Sequence, residues 1–231
     1  MKLVIIDYGA GNLFSVKQAF ERLGVEALVS QNEEEIRSAS HVVFPGVGHA
    51  QKAMDEMKKT GLDKVIPTLK QPVLGICLGM QLMCEWTEEG GVTGLGIFRT
   101  KVFDLKNRIS EFEKSKNSEW EKSEILEFDN SIIRKFDKYR RTQEFTGMQR
   151  CLSNYKFPHM GWNDVKMKEE KEAFYFVHSY AAEICPQTAG ITEYPFPFSS
   201  VLRKDNFIGI QFHPEKSGKS GEELLIQFLK S

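Results

Sequence analysis

Three short segments carry residue types whose spacing could do acyl-transfer chemistry. Gly75-Ile76-Cys77-Leu78-Gly79 lies where an apolar run, Pro72–Ile76, gives way to helical spacing over Leu78–Trp86. It is the G-x-nucleophile-x-G pattern with cysteine in place of serine. A turn tight enough to expose Cys77 pushes its backbone toward strain, and the flanking glycines remove side chains that would collide with strand or helix. The first amides of the following helix favour thiolate, the reactive form. A free cysteine is ordinarily a small core residue. The two glycines at a strand-to-helix switch set Cys77 apart, whereas Cys84, two turns further along the expected helix, lacks them and reads as core.

A thiolate acting on an acyl group needs a proton partner. His213 and Glu215 end the apolar run Phe207–Phe212 and stand two residues apart, so in extended chain they leave the same face. Pro214 between them forbids helix. An acidic group placed to orient an imidazole is the base-and-orienter half of a triad. The third requirement is a pair of donors for a developing oxyanion. Phe44-Pro45-Gly46-Val47-Gly48 follows a buried run, and Leu78 N–H comes directly after the nucleophile. Each donor can contribute about 3 kcal/mol in the transition state. By itself PGVG is only a turn signal.

The elements that must position these groups alternate. Lys2–Asp7, Ala27–Ser30, Val42–Phe44 and Pro72–Ile76 read as buried strands. Leu13–Leu23, a short helix at Glu33–Glu35 capped by Asn32, Ala50–Lys59 and Leu78–Trp86 read as the helices between them. That alternation predicts an α/β fold, with a mostly parallel central sheet flanked by helices. From Ile97 the texture changes. Ile97–Phe103, Phe174–Val177, Ala189–Thr192, Ser200–Leu202 and Phe207–Phe212 are β-like without long helices between them, which predicts an antiparallel extension in the C-terminal half. Ser217–Leu229 reads as a closing helix.

Composition sets the outer bounds. The chain has 231 residues and a formal net charge of -1, enough for one full core and without the basic surplus of a nucleic-acid binder. No apolar run approaches the ~20 residues of a membrane span. No leader-like segment precedes the first strand, so a cytoplasmic chain is expected. The four cysteines show no paired spacing, the five histidines no HxxxH pair, and no metal site is expected. Gly9-Ala10-Gly11 lacks the third glycine of a dinucleotide loop, with Phe14 in its place. Charge is concentrated between Lys106 and Arg150, where eleven Lys/Arg and nine Asp/Glu fall in 45 residues. That stretch reads as a solvated insertion with an amphipathic helix around Leu126–Phe136, and a partner-binding arm is the minority reading.

Together GICLGMQ, PGVG and QFHPEKSG resemble the class I (triad) glutamine amidotransferases, which are flavodoxin-like α/β proteins. DYGAGNLFSV, PHMGWN at Pro158–Asn163, YFVHSY at Tyr175–Tyr180 and HPEKSG resemble the imidazole glycerol phosphate synthase branch of that family. The likeness covers nearly all of the chain except about 105–155. It implies one amidotransferase domain over 1–231, interrupted by the charged insertion at about 106–150. It further implies Cys77 as nucleophile, His213 as base and then acid, Glu215 as orienter, and Val47, Gly48 and Leu78 as oxyanion donors. Gly46, Gln81, Glu89, Ser179 and Tyr180 match glutamine-binding positions. Asn12, Trp162, Asn163, His178 and Lys216 match positions at or near the interface with a (β/α)8-barrel synthase subunit. That barrel would form a heterodimer with the chain and take up its ammonia. No cofactor is implied. Three alternatives stay open: a paralogous glutaminase whose barrel partner amidates a sugar, a cysteine hydrolase of this fold acting alone, and an idle scaffold subunit. The intact triad speaks against the scaffold, and the interface-type motifs against the lone hydrolase.

Overall fold

The computed structural model describes residues 1–9, 12–108, 155–168 and 170–231, and all statements below concern these. Four parallel pairings build the first half of the sheet. β1 (Leu3–Ile6) lies between β2 (Ala27–Ser30) and β3 (His41–Gly46), and β4 (Val73–Cys77) lies between β3 and β13 (Phe207–Ile210). Their continuous apolar runs follow from cover on both faces. Val4 and Ile6 join one core cluster, with Ile36 of helix α2 (Glu33–Arg37), Met54 and Met57 of α3 (Ala50–Thr60) and Leu62 of α4 (Leu62–Val65). Leu3 and Ile5 join the other, with Val16 and Phe20 of α1 (Leu13–Arg22) and Leu225 and Phe228 of α6 (Gly218–Leu229). Successive side chains of one strand thus feed opposite layers.

Beyond β13 the pairing turns antiparallel. β12 (Pro197–Lys204) pairs with β13, with β10 (Tyr180–Ala182) and with β11 (Thr188–Glu193). β11 continues to β8 (His159–Met167), which forms a nine-pair ladder with β9 (Glu170–His178). On the other side β10 meets β7 (Phe98–Asp104) antiparallel, β7 meets β5 (Cys84–Thr87) in parallel, and β5 meets β6 (Val92–Thr93) antiparallel. A mostly parallel sheet flanked by helices, with an antiparallel extension in the C-terminal half, is therefore what the chain forms.

Two expectations need correction. The helix expected over Leu78–Trp86 is α5 (Leu78–Met83), and the next four residues are β5. Trp86 and Thr87 pair with Thr93 and Val92 on one side and with Lys101 and Val102 on the other, and this cross-strand pairing overrides the helical spacing. Cys84 is fully buried as expected, yet it opens a strand rather than the second turn of a helix. The PHMGWN segment, read as a motif without secondary structure, begins β8. Its Gly161, Asn163 and Asp164 are poor strand formers, and the ladder with β9 holds them extended. Apart from a helical turn at 105–108, the charged segment and the helix expected within it lie outside the described residues.

Candidate active site

Cys77 is the last residue of β4 and the N-cap of α5, with φ 52° and ψ -109°. A non-glycine residue at positive φ is strained, and such strain persists only where the surroundings over-determine it. Here close packing does so. A Cβ on Gly79 would overlap the carbonyl oxygen of Phe44, and one on Gly46 would overlap Tyr8 Oη. The two glycines therefore let α5 approach β3 closely enough to bend the chain sharply at Cys77. In the parallel register Gly46 stands opposite Cys77, so Val47 and Gly48 start the loop beside the sulfur. Gly48 has φ 105° and Val47 is 40% exposed.

The proton partner comes from the other end of the chain. β13 runs parallel to β4, and its continuation carries His213 to the Cys77 end of the sheet. His213 Nδ1 donates to Glu215 Oε1 at 2.8 Å, with the two side chains 3% and 2% exposed. The turn is fastened to β9: His213 N–H donates to Tyr175 O at 2.9 Å. Ser217 Oγ donates to His213 O at 2.6 Å and accepts from Tyr175 N–H at 2.9 Å. Burial lowers the pKa of His213, but Cys77 and Glu215 outweigh it and raise the value to about 10. Its Nε2 is buried without a hydrogen-bond partner. Cys77 thus lies close enough to bias the ring's charge.

Around Cys77 the other expected residues fall into two groups. Gln81, Tyr180 and Glu89 gather on the α5 side. Gln81 Nε2 donates to Tyr180 O at 2.8 Å, and Glu89 Oε2 accepts from Ala50 N–H, the first amide of α3, at 2.8 Å. Burial raises the Glu89 pKa. Burial also raises the Tyr180 phenol, aided by Asp104, Glu89 and Glu88. Ser179 joins His178 to Tyr180, and its carbonyl accepts from Leu105 N–H at 3.0 Å.

The residues matched to an interface divide by strand alternation. Trp162 is 59% exposed, and its neighbour on that face of β8, Met160, is 61% exposed. Lys216 is also exposed. Asn163 and His178 instead turn inward. Asn163 donates to Glu193 O at 3.1 Å and to His159 Nε2 at 3.3 Å, and His178 is buried with both ring nitrogens hydrogen-bonded. His178 therefore lies behind the surface, and Asn163 is half-buried. Asn12 caps α1, its side chain accepting from Ser15 N–H at 3.3 Å.

Sequence reasoning passed over two residues at this site. Gln211 is fully buried and its Nε2 donates toward Cys77 Sγ at 3.7 Å. It stands two residues before His213, beyond the end of β13. The extended link expected between His213 and Glu215 does not form: Pro214–Lys216 is a 3-10 turn with proline in its first position, and that turn, not strand alternation, brings Glu215 to the ring. Tyr8 Oη is buried without a hydrogen-bond partner beside Gly46, and Cys77 adds to the burial that raises its pKa. No local pattern in DYGAG points to it. Among the described residues no group of three His, Cys, Asp or Glu is placed to hold a metal.

The chain matches the family described as glutamine amidotransferase class-I over residues 4–231. It is 42% identical to the imidazole glycerol phosphate synthase subunit HisH of Bacteroides thetaiotaomicron, covering 99% of both chains. The protein of the same name from Buchnera aphidicola is 35% identical over the full length of both. Among solved structures, one described as a glutamine amidotransferase superposes with a TM-score of 0.63 at 14% identity, covering 98% of this chain and 97% of the other. A glutamine amidotransferase from Thermotoga maritima gives 0.51 at 14% identity, over 100% of this chain and 82% of that one. At such identities these structures speak for the fold alone. With a strained cysteine at a strand-to-helix turn facing a buried His–Glu pair, and with family and full-length relatives agreeing, the chain belongs to the class I glutamine amidotransferases.

Proposed function

We propose that the chain is the glutaminase subunit of an imidazole glycerol phosphate synthase, supplying ammonia for histidine biosynthesis. The observation that carries the glutaminase chemistry is the Cys77 turn facing His213–Glu215. Cys77 Sγ attacks the side-chain amide carbon of glutamine as the thiolate, and the amide nitrogen leaves with the proton held by His213, as ammonia. The γ-glutamyl thioester is then hydrolysed. His213, now neutral, takes a proton from water, the hydroxide displaces sulfur, and glutamate leaves. Glu215 keeps the ring oriented and stabilises its charged form. Backbone N–H groups of Val47, Gly48 and Leu78 receive the oxyanion. Glu89 fits the α-ammonium of glutamine, with Gly46, Gln81, Ser179 and Tyr180 shaping the rest of the pocket.

The partner is a (β/α)8-barrel synthase subunit, docked to form a heterodimer. What supports this is the name shared by the full-length relatives, and an apolar face at the right place. Met160 and Trp162 stand exposed on β8, opposite Val177 and Tyr175 of β9. The backbone of those same two β9 residues touches the site, Val177 O at 4.0 Å from Cys77 Sγ and Tyr175 O on His213 N–H. A partner seated there would lie one strand from the sulfur and could receive ammonia before water protonates it. Trp162 and Lys216 would meet it directly, and Asn12, Asn163 and His178 would lie at or behind that contact. We read the chain as one domain interrupted at about 106–150, and as cytoplasmic. Among the described residues no helix is long and apolar enough to cross a membrane.

The test measures glutamine hydrolysis with and without the barrel partner loaded with its ribonucleotide. The expected result is a large acceleration by the loaded partner. Cys77→Ala should lower glutamine-dependent synthesis by at least about 10⁴-fold while ammonia-dependent synthesis by the complex survives. A full rate for the isolated chain would favour a hydrolase acting alone. Loss of the ammonia-dependent reaction in an assembled complex would refute the division of labour.

A further inference from the structure

Gln211 lies at the inner end of a continuous line of hydrogen bonds that runs from the buried core out to half-buried Asn163. Its Oε1 accepts from Gln81 Nε2 at 3.0 Å, and its Nε2 points at Cys77 Sγ at 3.7 Å. Gln81 Nε2 also donates to Tyr180 O, which accepts a second bond from His178 Nδ1 at 2.8 Å. From that carbonyl outward the direction of every bond is forced. A carbonyl only accepts, so His178 Nδ1 carries the hydrogen and, in a neutral ring, Nε2 must accept. His159 Nδ1, 2.9 Å away, therefore donates to it. His159 Nε2 then accepts from Asn163 Nδ2, whose amide is pinned by Asp164 N–H at 2.8 Å and by Glu193 O. Burial lowers the pKa of His159 to about 4 and that of His178 to about 3, which keeps both rings in this neutral pattern at physiological pH.

We infer that Gln211 is a donor to the reacting sulfur, stabilising Cys77 as thiolate, and that Gln81, His178 and His159 are positioning residues that hold its amide there from Asn163 on β8. A neutral thiol is a weak acceptor, so an amide aimed at it gains little until the sulfur is charged. A buried amide kept only for packing would be satisfied by the backbone around it. This one instead uses its oxygen to fix its orientation and its nitrogen to face sulfur. The titratable groups facing Cys77 are Tyr8 from the turn after β1 and His213 from the turn after β13, with Glu215 and His178 acting on it through His213. Val177 O from β9 is the remaining polar contact of the sulfur. The catalytic consequence rests on the glutaminase reading, but the donor itself is tested without glutamine or partner.

The experiment follows alkylation of Cys77 by iodoacetamide in the full chain across pH, with peptide mass spectrometry separating Cys77 from Cys84, Cys151 and Cys185. Gln211→Met, close in shape and without a donor, should slow alkylation at pH 7 about tenfold and shift the profile up by about one pH unit. His159→Phe keeps the ring stack on Tyr194, at 3.8 Å, and removes the outer end of the line. It should slow alkylation in the same direction by about threefold. Should Gln211→Met fail to fold, Gln211→Asn keeps the core polar and withdraws the donor from sulfur, with the same outcome expected. An unchanged pH profile in a folded Gln211 variant, whatever its melting temperature, would overturn the inference.

Discussion

Two adjoining places in the molecule bury histidines and hold them in opposite protonation states. At the turn after β13, His213 has its pKa raised to about 10, whereas His159 and His178, paired across β8 and β9, are lowered to about 4 and about 3. Burial acts downward on all three. What differs is the company. His213 has a thiol and a carboxylate beside it, while the pair has a backbone carbonyl, a carboxamide and each other, with His213 adding its own charge against His178. Desolvation sets the cost of the charged ring, and a counter-charge within reach decides its sign. The protein thereby keeps a proton at the corner where the proposed reaction releases an amine, and keeps the neighbouring hydrogen-bond line neutral and directional.

The sharpest way to break this contrast is to take away the counter-charge. Glu215→Gln should leave the fold intact and lower the glutaminase rate by roughly 10³-fold, read from steady-state glutamine hydrolysis in the complex, because the imidazolium loses its stabiliser and its tautomer is no longer specified. A rate within a few-fold of the wild type would mean that Cys77 alone holds the proton on the ring.

The dependence of stability on pH sharpens the contrast next. His159 and His178 have folded pKa values below the unfolded value of 6.5, so the unfolded chain binds more protons in acid. Their contribution is complete above about pH 6.5 and is lost as pH falls toward 4 and 3, an effect of the order of several kcal/mol. His213 works the other way. Its folded pKa exceeds 6.5, so its contribution is full below that pH and is lost as pH rises through about 10. Melting temperature should therefore peak near pH 6.5, with His159→Phe flattening the acid arm and Glu215→Gln the alkaline one. An acid arm untouched by His159→Phe would show that the pair does not titrate as described.

The smallest expected effect concerns Tyr8, a buried titratable side chain facing Cys77 that has neither a counter-charge nor a hydrogen-bond partner among the described residues. Tyr8→Phe removes an unsatisfied hydroxyl and should raise stability by about 1 kcal/mol, or about 2 °C in melting temperature. A loss of stability would mean that Oη has a partner in solution.

Legibility in the sequence followed the range of the forces involved. Lys2–Asp7 and Pro72–Ile76 read correctly as buried strands because both faces of that sheet are covered, which leaves an unbroken apolar run. β8 is not legible, since its Gly161, Asn163 and Asp164 are extended by pairing with β9 and not by their own preference. The helix at Leu78 reads too long because Trp86 and Thr87 fit helical spacing equally well, and only β6 and β7 draw them into a strand. At the site, Cys77 is legible from its glycines and His213 from its neighbour Glu215. Gln211, Tyr8 and His159 are not, because their roles depend on Cys77, Gly46, His178 and Tyr180 arriving from distant segments.

Local chemistry determined a great deal of this protein. Glycine placement specifies a strained cysteine, the His-x-Glu spacing specifies an oriented ring, and alternating apolar periods specify an α/β sheet. Tertiary structure decided the rest. The parallel pairing of β4 with β13 brings Cys77 and His213 to one end of the sheet across more than half the chain. Strand alternation turns Trp162 outward while Asn163 and His178 face in. Whether a buried histidine is charged is also decided there, because its protonation depends on which groups the fold sets beside it and not on the residues next to it in the chain.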